Sequence, residues 1–381
     1  MTVTANSEFK YQLDTSSTLA KKLMEYGVEF WGSKVIDAYD LFGNKNFLDS
    51  NGQPIAGVYR NMSNSDYHAI EAISSSILKE FAFDPSAAKD ILKNKSKNLA
   101  GKTFSAATER SIAVGSLVHT LVLEPHKLNE EYEIEPNRLN YASMTILENN
   151  DDLKEYIENN GLKKGITIKE RKQIILQFNP CVIFWDDLIA AMKRRVETLN
   201  KKYITLEDYE KALILSKKIL SSELGKQLFD NSENELSIIA YDYNSFEFVK
   251  CRYDAITKKR MAVDIKTIHT LSSKQIGRDM EERLYQIQGA FYQYVSELID
   301  FDIVLDEFAY LFCEWDNYQR FILIEIDDVS WAESQTFMNE IYSDFLYWKN
   351  NLCFDDSLNE SQTAVIKLSN YALRKRVRIA A

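Results

Sequence analysis

Residues Cys251 to Thr267, CRYDAITKKRMAVDIKT, constrain the fold more than any other stretch of this chain. The pattern reads as a strand ending in Asp254, a lysine-rich turn, and a second strand entering Asp264-Ile265-Lys266. Side chains alternate faces along a strand, so Asp264 and Lys266 point one way and Ile265 the other, into the apolar interior. A hairpin turn over Thr257 to Arg260 brings Asp254 beside Asp264. Two carboxylates and an ammonium at one strand end can hold a divalent cation and stabilise a nearby anion, which is what metal-assisted hydrolysis of a phosphodiester requires. The same residues also describe a solvated hairpin with scattered charge, because a D-x-K triplet is common. The rest of the chain has to decide between the two.

With 381 residues, 45% of them hydrophobic, the chain can bury a sizeable core, as two or three domains or as one core with large insertions. No apolar run approaches the length of a membrane span. The start, MTVTANSEFKYQLD, lacks the basic, apolar and small-residue regions of a signal peptide, so a cytoplasmic protein with no membrane partner is expected. Cys181, Cys251, Cys313 and Cys353 form no C-x-x-C pair, which argues against zinc or iron–sulfur chemistry. A net charge of −11 opposes indiscriminate binding to polyanions, yet leaves room for a local cluster of Lys and Arg.

Along the chain, residues 1–60 read as an N-terminal arm, with a helix over Ser16 to Trp31 and a turn-rich loop or hairpin after it. Ser75 or Ser76 is placed as the N-cap of a short helix through Phe83, and Asp84 as the cap of a second with Pro85 in its first turn. Their hydroxyls, with Lys79 and Lys89, could receive a phosphate or simply cap helices. Thr108 to Leu123 is a buried helix in which Gly115 permits close approach and His119 lies one turn further on the same face. A histidine there is a core residue unless acidic partners arrive from elsewhere.

Residues of about 140–202 read as a helical insertion, with helices at Asp151 to Asn160, Thr167 to Phe178 and Trp185 to Leu199. Leu206 to Leu224 is a further helix, started by Thr205 with Asp208 in capping-box position. From Glu235 the period changes to that of strands: ELSIIAYD, FEFVKCRYD and MAVDIKT. One long helix, Ser272 to Leu298, follows, with Tyr285, Gln288 and Tyr292 on one face. Two strands (Glu307 to Glu314 and Gln319 to Ile326), a helix (Trp331 to Trp348), a last strand (Ala364 to Leu368) and a basic tail (Arg374 to Arg378) complete the order. The expected fold is α/β, a central mixed sheet flanked by helices. Residues 61–350 form the main domain, and 351–381 the terminal strand and tail.

In this layout the chain resembles the RecE-like (exodeoxyribonuclease VIII-like) exonucleases of phages and prophages, members of the PD-(D/E)xK nuclease superfamily. The resemblance is carried by Met62 to His68 followed by Ile73-Ser74-Ser75-Ser76-x-Leu78, by Gly115-x-x-x-His119, by Glu235-Leu-Ser, by Cys251-Arg252-Tyr-Asp254, by Asp264-Ile-Lys266-Thr267, and by Tyr285-x-x-Gln288-x-x-x-Tyr292. It extends over about Ser63 to Ile326. It implies that Asp254 and Asp264, with the Ile265 carbonyl, His119 and Glu235, bind Mg²⁺, for which Mn²⁺ can substitute. Lys266 then positions or activates the attacking water and stabilises charge on the phosphorane. Gln288, Tyr292 and Tyr285 orient Lys266 and the scissile strand. Ser74, Ser76, Lys89, Arg252, Thr267 and Tyr285 are implied DNA contacts.

The same resemblance implies a 5′-to-3′ exonuclease on double-stranded DNA ends, a ring-shaped homo-oligomer, and a single-strand annealing partner in recombination. The location would be the host cytoplasm for a phage-encoded chain. An endonuclease of the same fold and a noncatalytic DNA-end-binding protein are the alternatives. Where the family has serine–proline near its second helix, this chain has Asp84-Pro85, so a 5′-phosphate role for that turn is in doubt. The chemistry makes one demand of Lys266: a compact ammonium beside the metal. Lys266→Arg keeps the charge and loses that geometry, so it is expected to leave duplex hydrolysis as low as Lys266→Ala does in a nuclease assay.

Overall fold

Apolar residues alternating around Asp254 and Asp264 build the centre of a seven-stranded mixed sheet. The computed structural model describes residues 35–85, 105–199, 201–299, 308–317 and 319–351. Strands β1 (Val35–Asp37) and β2 (Gly57–Arg60) come first, then helices α1 (Asn64–Ala69), α2 (Ser75–Phe83) and the long α3 (Ala106–Leu123). The excursion that follows holds β3 (Tyr132–Ile134), β4 (Ile146–Leu147), α4 (Asn150–Asn159), α5 (Ile168–Phe178), β5 (Ile183–Phe184), α6 (Trp185–Leu199) and β6 (Lys202–Ile204). Helices α7 (Leu206–Ser221) and α8 (Glu223–Phe229) lead back to β7 (Glu233–Asp242), β8 (Glu247–Ile256) and β9 (Ala262–Ile268). Then come α9 (Ser273–Glu282), α10 (Tyr285–Glu297), β10 (Phe308–Glu314), β11 (Phe321–Glu325) and α11 (Asp328–Asn351).

The sheet order is β1-β2-β7-β8-β9-β10-β11, with β1–β2 and β9–β10 parallel and the other pairs antiparallel. Both faces are covered. Tyr253, Ala262, Ile268, Tyr310 and Phe312 pack under α2, α10 and α11, while Val263, Ile265, Ala309 and Leu311 pack under α3 and α7. A sheet buried on both sides gives strands that are nearly continuously apolar, which is why β10 is buried from end to end. The insertion has its own small core around Leu153, Ile157, Ile175 and Phe184. Among the described residues no helix is long and apolar enough to cross a membrane.

Several boundaries differ from expectation. Ser74, not Ser75 or Ser76, is the N-cap of α2, and its side chain makes no capping bond. Asp84 ends α2 as its C-cap, and a helix started from it lies outside the described residues. The helix from Leu206 breaks at Ser222, where Gly225 starts a new turn so close to Ile219 that a Cβ would lie 1.8 Å from its carbonyl oxygen. Thr205 caps α7, but Asp208 closes no capping box, because its carboxylate takes both arms of Arg110 on α3 at 2.8 and 2.6 Å. The single helix over Ser272 to Leu298 is two helices, broken at Leu284 with φ +50°. No glycine or proline marks that break in the sequence. The Ser16–Trp31 helix, Lys89, Cys353, the Ala364–Leu368 strand and the basic tail fall outside the described residues.

Away from the cleft, one buried acid ties the β7–β8 hairpin to the helical layer. Asp242 accepts from Ser245, Tyr294 and Tyr342 hydroxyls at 2.6, 2.8 and 2.9 Å and from the Asn244 N–H. Burial works against its charge, and these donors outweigh burial and hold the carboxyl below its ordinary range. Asp242→Ala leaves the Tyr294 hydroxyl and the Asn244 N–H without this acceptor, and the Ser245 and Tyr342 hydroxyls with only each other at 2.9 Å; it is expected to destabilise the fold by about 3 kcal/mol in urea unfolding. The part of that loss due to the charged form vanishes as pH falls below the ordinary carboxylate range, because the wild-type carboxylate is then protonated too.

Candidate metal and phosphodiester site

The site begins where two strands part. Between β8 and β9 the ladder runs through Ile256↔Ala262 and Ala255↔Val263 and then stops. Instead of the next strand bond, the Ile265 N–H donates to Asp254 Oδ2 at 2.7 Å. A side chain has taken a backbone partner's place, and the strands open beyond it. On the other flank of β8, Leu236↔Tyr253 and Asn234↔Ala255 pair while Glu235 and Asp254 between them do not. Glu235 has φ +51°, the left-handed region that a side-chain-bearing residue rarely adopts inside a strand. This local distortion turns Glu235 out of the alternation and toward the opening.

Helix α3 closes the gap from above. A Cβ on Gly115 would sit 2.8 Å from Thr267 Oγ1, so the helix approaches β9 more closely there than an alanine permits without a shift. One turn on, His119 Nε2 reaches the Ile265 carbonyl at 2.9 Å and Asp254 Oδ2 at 3.4 Å, with Nδ1 3.9 Å from Glu235 Oε1. One ligand atom from each of His119, Glu235 and Asp254 lies within 4.8 Å of the others. Asp254 carries the cost of this crowding: burial, then the neighbouring acids Asp264 and Glu235, push it up to about 7 against the opposing pull of His119. Burial opposes the charge on His119, but Asp254, Glu235 and the Ile265 carbonyl outweigh it and hold the imidazole up at about 9. Two carboxylates, a carbonyl and an imidazole are a donor set that suits Mg²⁺ or Mn²⁺, and the residues fit such an ion.

Asp264 stands outside that trio. It is 2% exposed, lies on the α10 face of β9, and faces the Lys266 ammonium at 2.5 Å. Gln288 Nε2 donates to Asp264 Oδ1 at 2.6 Å, while its Oε1 accepts from Lys266 at 3.4 Å and from Lys79 at 3.2 Å. Gln288 Nε2 also lies 3.3 Å from the Tyr292 hydroxyl, and the Tyr285 ring sits 4.5 Å from Lys266 Nζ. Burial lowers the affinity of Lys266 for its proton, and Asp264 and Asp254 more than restore it, so its pKa is raised. At neutral pH Lys266 is a cation and not a base.

A cleft of about 600 Å³ exposes His119, Glu235, Asp254, Lys266, Thr267 and Tyr285 together. Other expected contacts lie elsewhere. Ser74 is half-buried and Ser76 exposed on α2, away from the cleft lining. Arg252 is 8% exposed, stacked over Tyr67, with its guanidinium donating to Ser237, Asn64 and the Met62 carbonyl. It braces the strand and stands 3.9 Å from Glu235, steadying that carboxylate. Two more cations stand here: Lys79, which the sequence offered only as a phosphate contact beside the α2 serines, and Arg283, which it did not single out. The signal for Lys79 was present, a lysine one turn into the serine-rich helix; Arg283 depends on the unheralded break at Leu284.

A family model described as a PDDEXK-like domain of unknown function (DUF3799) matches residues 74–303, more than half of the chain and every residue of the cluster just described. No curated protein sequence matches. Among solved structures the chain is similar to a "Putative exonuclease" from Eubacterium rectale, at 13% identity and a TM-score of 0.42, over 82% of this chain and 96% of that one.

Ligation requires Asp254 as carboxylate and His119 without its imidazolium proton, so a divalent cation displaces protons. Its affinity is expected to rise with pH, by about tenfold per unit for each proton released. The rise is steepest below about 7, where both groups are protonated, and ends near 9. Calorimetric titration with Mn²⁺ in buffers of different ionisation enthalpy measures both the affinity and the protons. An affinity flat over this range would remove His119 and Asp254 from the ligand set.

Proposed function

The chain belongs to this family of PDDEXK-like domains, and from that premise we infer that it is a Mg²⁺-dependent exonuclease acting on double-stranded DNA ends. The observation that carries the reading is the pairing of His119, Glu235, Asp254 and the Ile265 carbonyl on one side of β9 with the Asp264–Lys266–Gln288 chain on the other. His119, Glu235, Asp254 and Ile265 from the first half and Lys266 from the second line one cleft.

Glu235, Asp254, His119 and the Ile265 carbonyl would hold the cation. When bound, it supplies charge neutralisation on a nonbridging phosphate oxygen and makes a bound water acidic enough to attack at neutral pH. The chain's own groups do the rest. Lys266, kept cationic by Asp264, sets positive charge against the oxygens of the scissile phosphate as negative charge accumulates there. Gln288 fixes both members of that pair, so the ammonium does not swing to solvent. The Tyr285 ring beneath Lys266 adds a cation–π contact and one dry wall. Thr267, next along the strand, lines the same cleft with its hydroxyl against Gly115 of α3.

The motif order resembling the RecE-like exonucleases supports action from an end, in the 5′-to-3′ direction. On the same ground the proposal extends to a ring-shaped homo-oligomer and to a single-strand annealing partner in recombination. The experiment uses end-labelled linear duplex and a covalently closed circle, each with Mg²⁺. Loss of the linear substrate with the circle intact is the expected result; cutting of the circle replaces the reading with an endonuclease. No cleavage of either, together with retained end binding, replaces it with a noncatalytic end-binding protein. Lys266→Ala is expected to lower the rate at least about 100-fold.

A further inference from the structure

The cleft has an electrical polarity that the metal ligands do not explain. Three cations gather around the ring of Tyr285 in the cleft wall; Lys266 and Arg283 line the cleft, and Lys79 lies behind that lining. Lys266 and Lys79 lie 4.5 and 5.7 Å from the Tyr285 centroid, and both ammoniums donate to the same neutral oxygen, Gln288 Oε1. Arg283, two residues before Tyr285, is exposed, lines the cleft, and is close enough to act on the charge of both Lys79 and Tyr285. Lys266 has Asp264 as counter-ion. Among the described residues no carboxylate forms an ion pair with Lys79 or Arg283. Asp264, which acts on Lys79 from a distance, is paired with Lys266, and Asp279 in the cleft wall is engaged by the Gln275 amide at 2.8 Å.

The backbone adds to the same field. Helix α10 begins at Tyr285 after the left-handed Leu284, with no side-chain cap and no acid in its first turn. Its leading N–H groups and the positive end of its dipole therefore face this region without a built-in acceptor. The starts of α3, α4, α5, α7 and α9 are capped by Ser, Thr or Asn side chains, whereas α10, like α2, has no side-chain cap. Burial and the neighbouring Lys266 push Lys79 down to about 8, an unfavourable state that a bound anion relieves.

We propose that Lys79, Arg283 and the uncapped start of α10 form a phosphate subsite beside Lys266, which takes a phosphate of the substrate strand adjacent to the one being hydrolysed. The subsite rests on the nuclease reading and adds what that reading lacks, a grip on the strand in an otherwise acidic cleft. Binding there gives Lys79 the oxyanion it has no partner for, and leaves Gln288 Oε1 to Lys266 alone.

The test measures equilibrium binding of a short fluorescent duplex by anisotropy, with Ca²⁺ at fixed concentration, over a series of salt concentrations. Duplexes with a 5′-phosphate and with a 5′-hydroxyl are compared. Lys79→Gln and Arg283→Gln are each expected to reduce the slope of log K against log salt by about one, the signature of one lost phosphate contact. Lys79→Arg is expected to restore it, which a purely structural role would not require. Equal effects on both duplexes identify an internal phosphodiester; an effect confined to the phosphorylated end identifies the terminal phosphate. Slopes of both Gln variants equal to wild type overturn the subsite while leaving the nuclease reading intact. Arg283 is exposed, so its variant decides the matter even where Lys79→Gln fails to fold. Wild-type protein that binds neither duplex and cleaves neither linear nor circular DNA overturns the nuclease reading, and the subsite with it.

Discussion

The site depends on one hydrogen bond, from the Ile265 N–H to Asp254 Oδ2. A buried backbone donor in a central strand must be satisfied, and the obvious partner is the neighbouring strand. Here a carboxylate satisfies it instead, so β8 and β9 can separate without leaving an unpaired N–H. The opening is then available to His119 from one side and Glu235 from the other. A carboxylate that acts as backbone acceptor is also held rigidly, which is what a metal ligand needs.

The second constraint is desolvation. Asp264 is almost out of water and Lys266 is half-buried beside it in an apolar sheet, a placement that costs up to several kcal/mol per ion unless both are paired and bonded. Gln288 makes this tolerable, since its amide donates to the acid and accepts from the ammonium. Its position follows from the close approach of α10: a Cβ on Gly289 would lie 2.7 Å from the Tyr310 hydroxyl on β10. Packing of the helix onto the neighbouring strand β10 thus sets the distance at which the amide reaches the ion pair. The result is an asymmetric strand, with acceptors converging on the α3 face and a fixed cation on the α10 face.

Much of this is legible in the sequence. The alternation in MAVDIKT gave the faces of Asp264, Ile265 and Lys266, because a strand period of two leaves no choice once Ile265 is buried. The turn over Thr257 to Arg260 predicted the proximity of Asp254 and Asp264. Spacing along one helix placed Gln288 and Tyr292 together, and Gly115 with His119. What was not legible involves departures from regular geometry. Glu235 in a left-handed conformation and Leu284 breaking a helix that has no glycine or proline there are both set by long-range packing. Arg252 reads as a free cation in sequence and is enclosed by the Met62–Asn64 segment, because a partner so many residues away leaves no local trace.

By itself the sequence determined most of the core strands and helices, their order, and the residue types that a metal-bound phosphodiester requires, since these follow from hydrophobic period and from the chemistry of each side chain. Tertiary structure alone decided that Asp264 pairs with Lys266 while His119, Glu235 and Asp254 form the acceptor cluster. It alone brought Lys79 and Arg283 to the start of α10. The reason is physical: periodicity says which face a residue occupies, but the distance between two faces is set by how closely the elements pack.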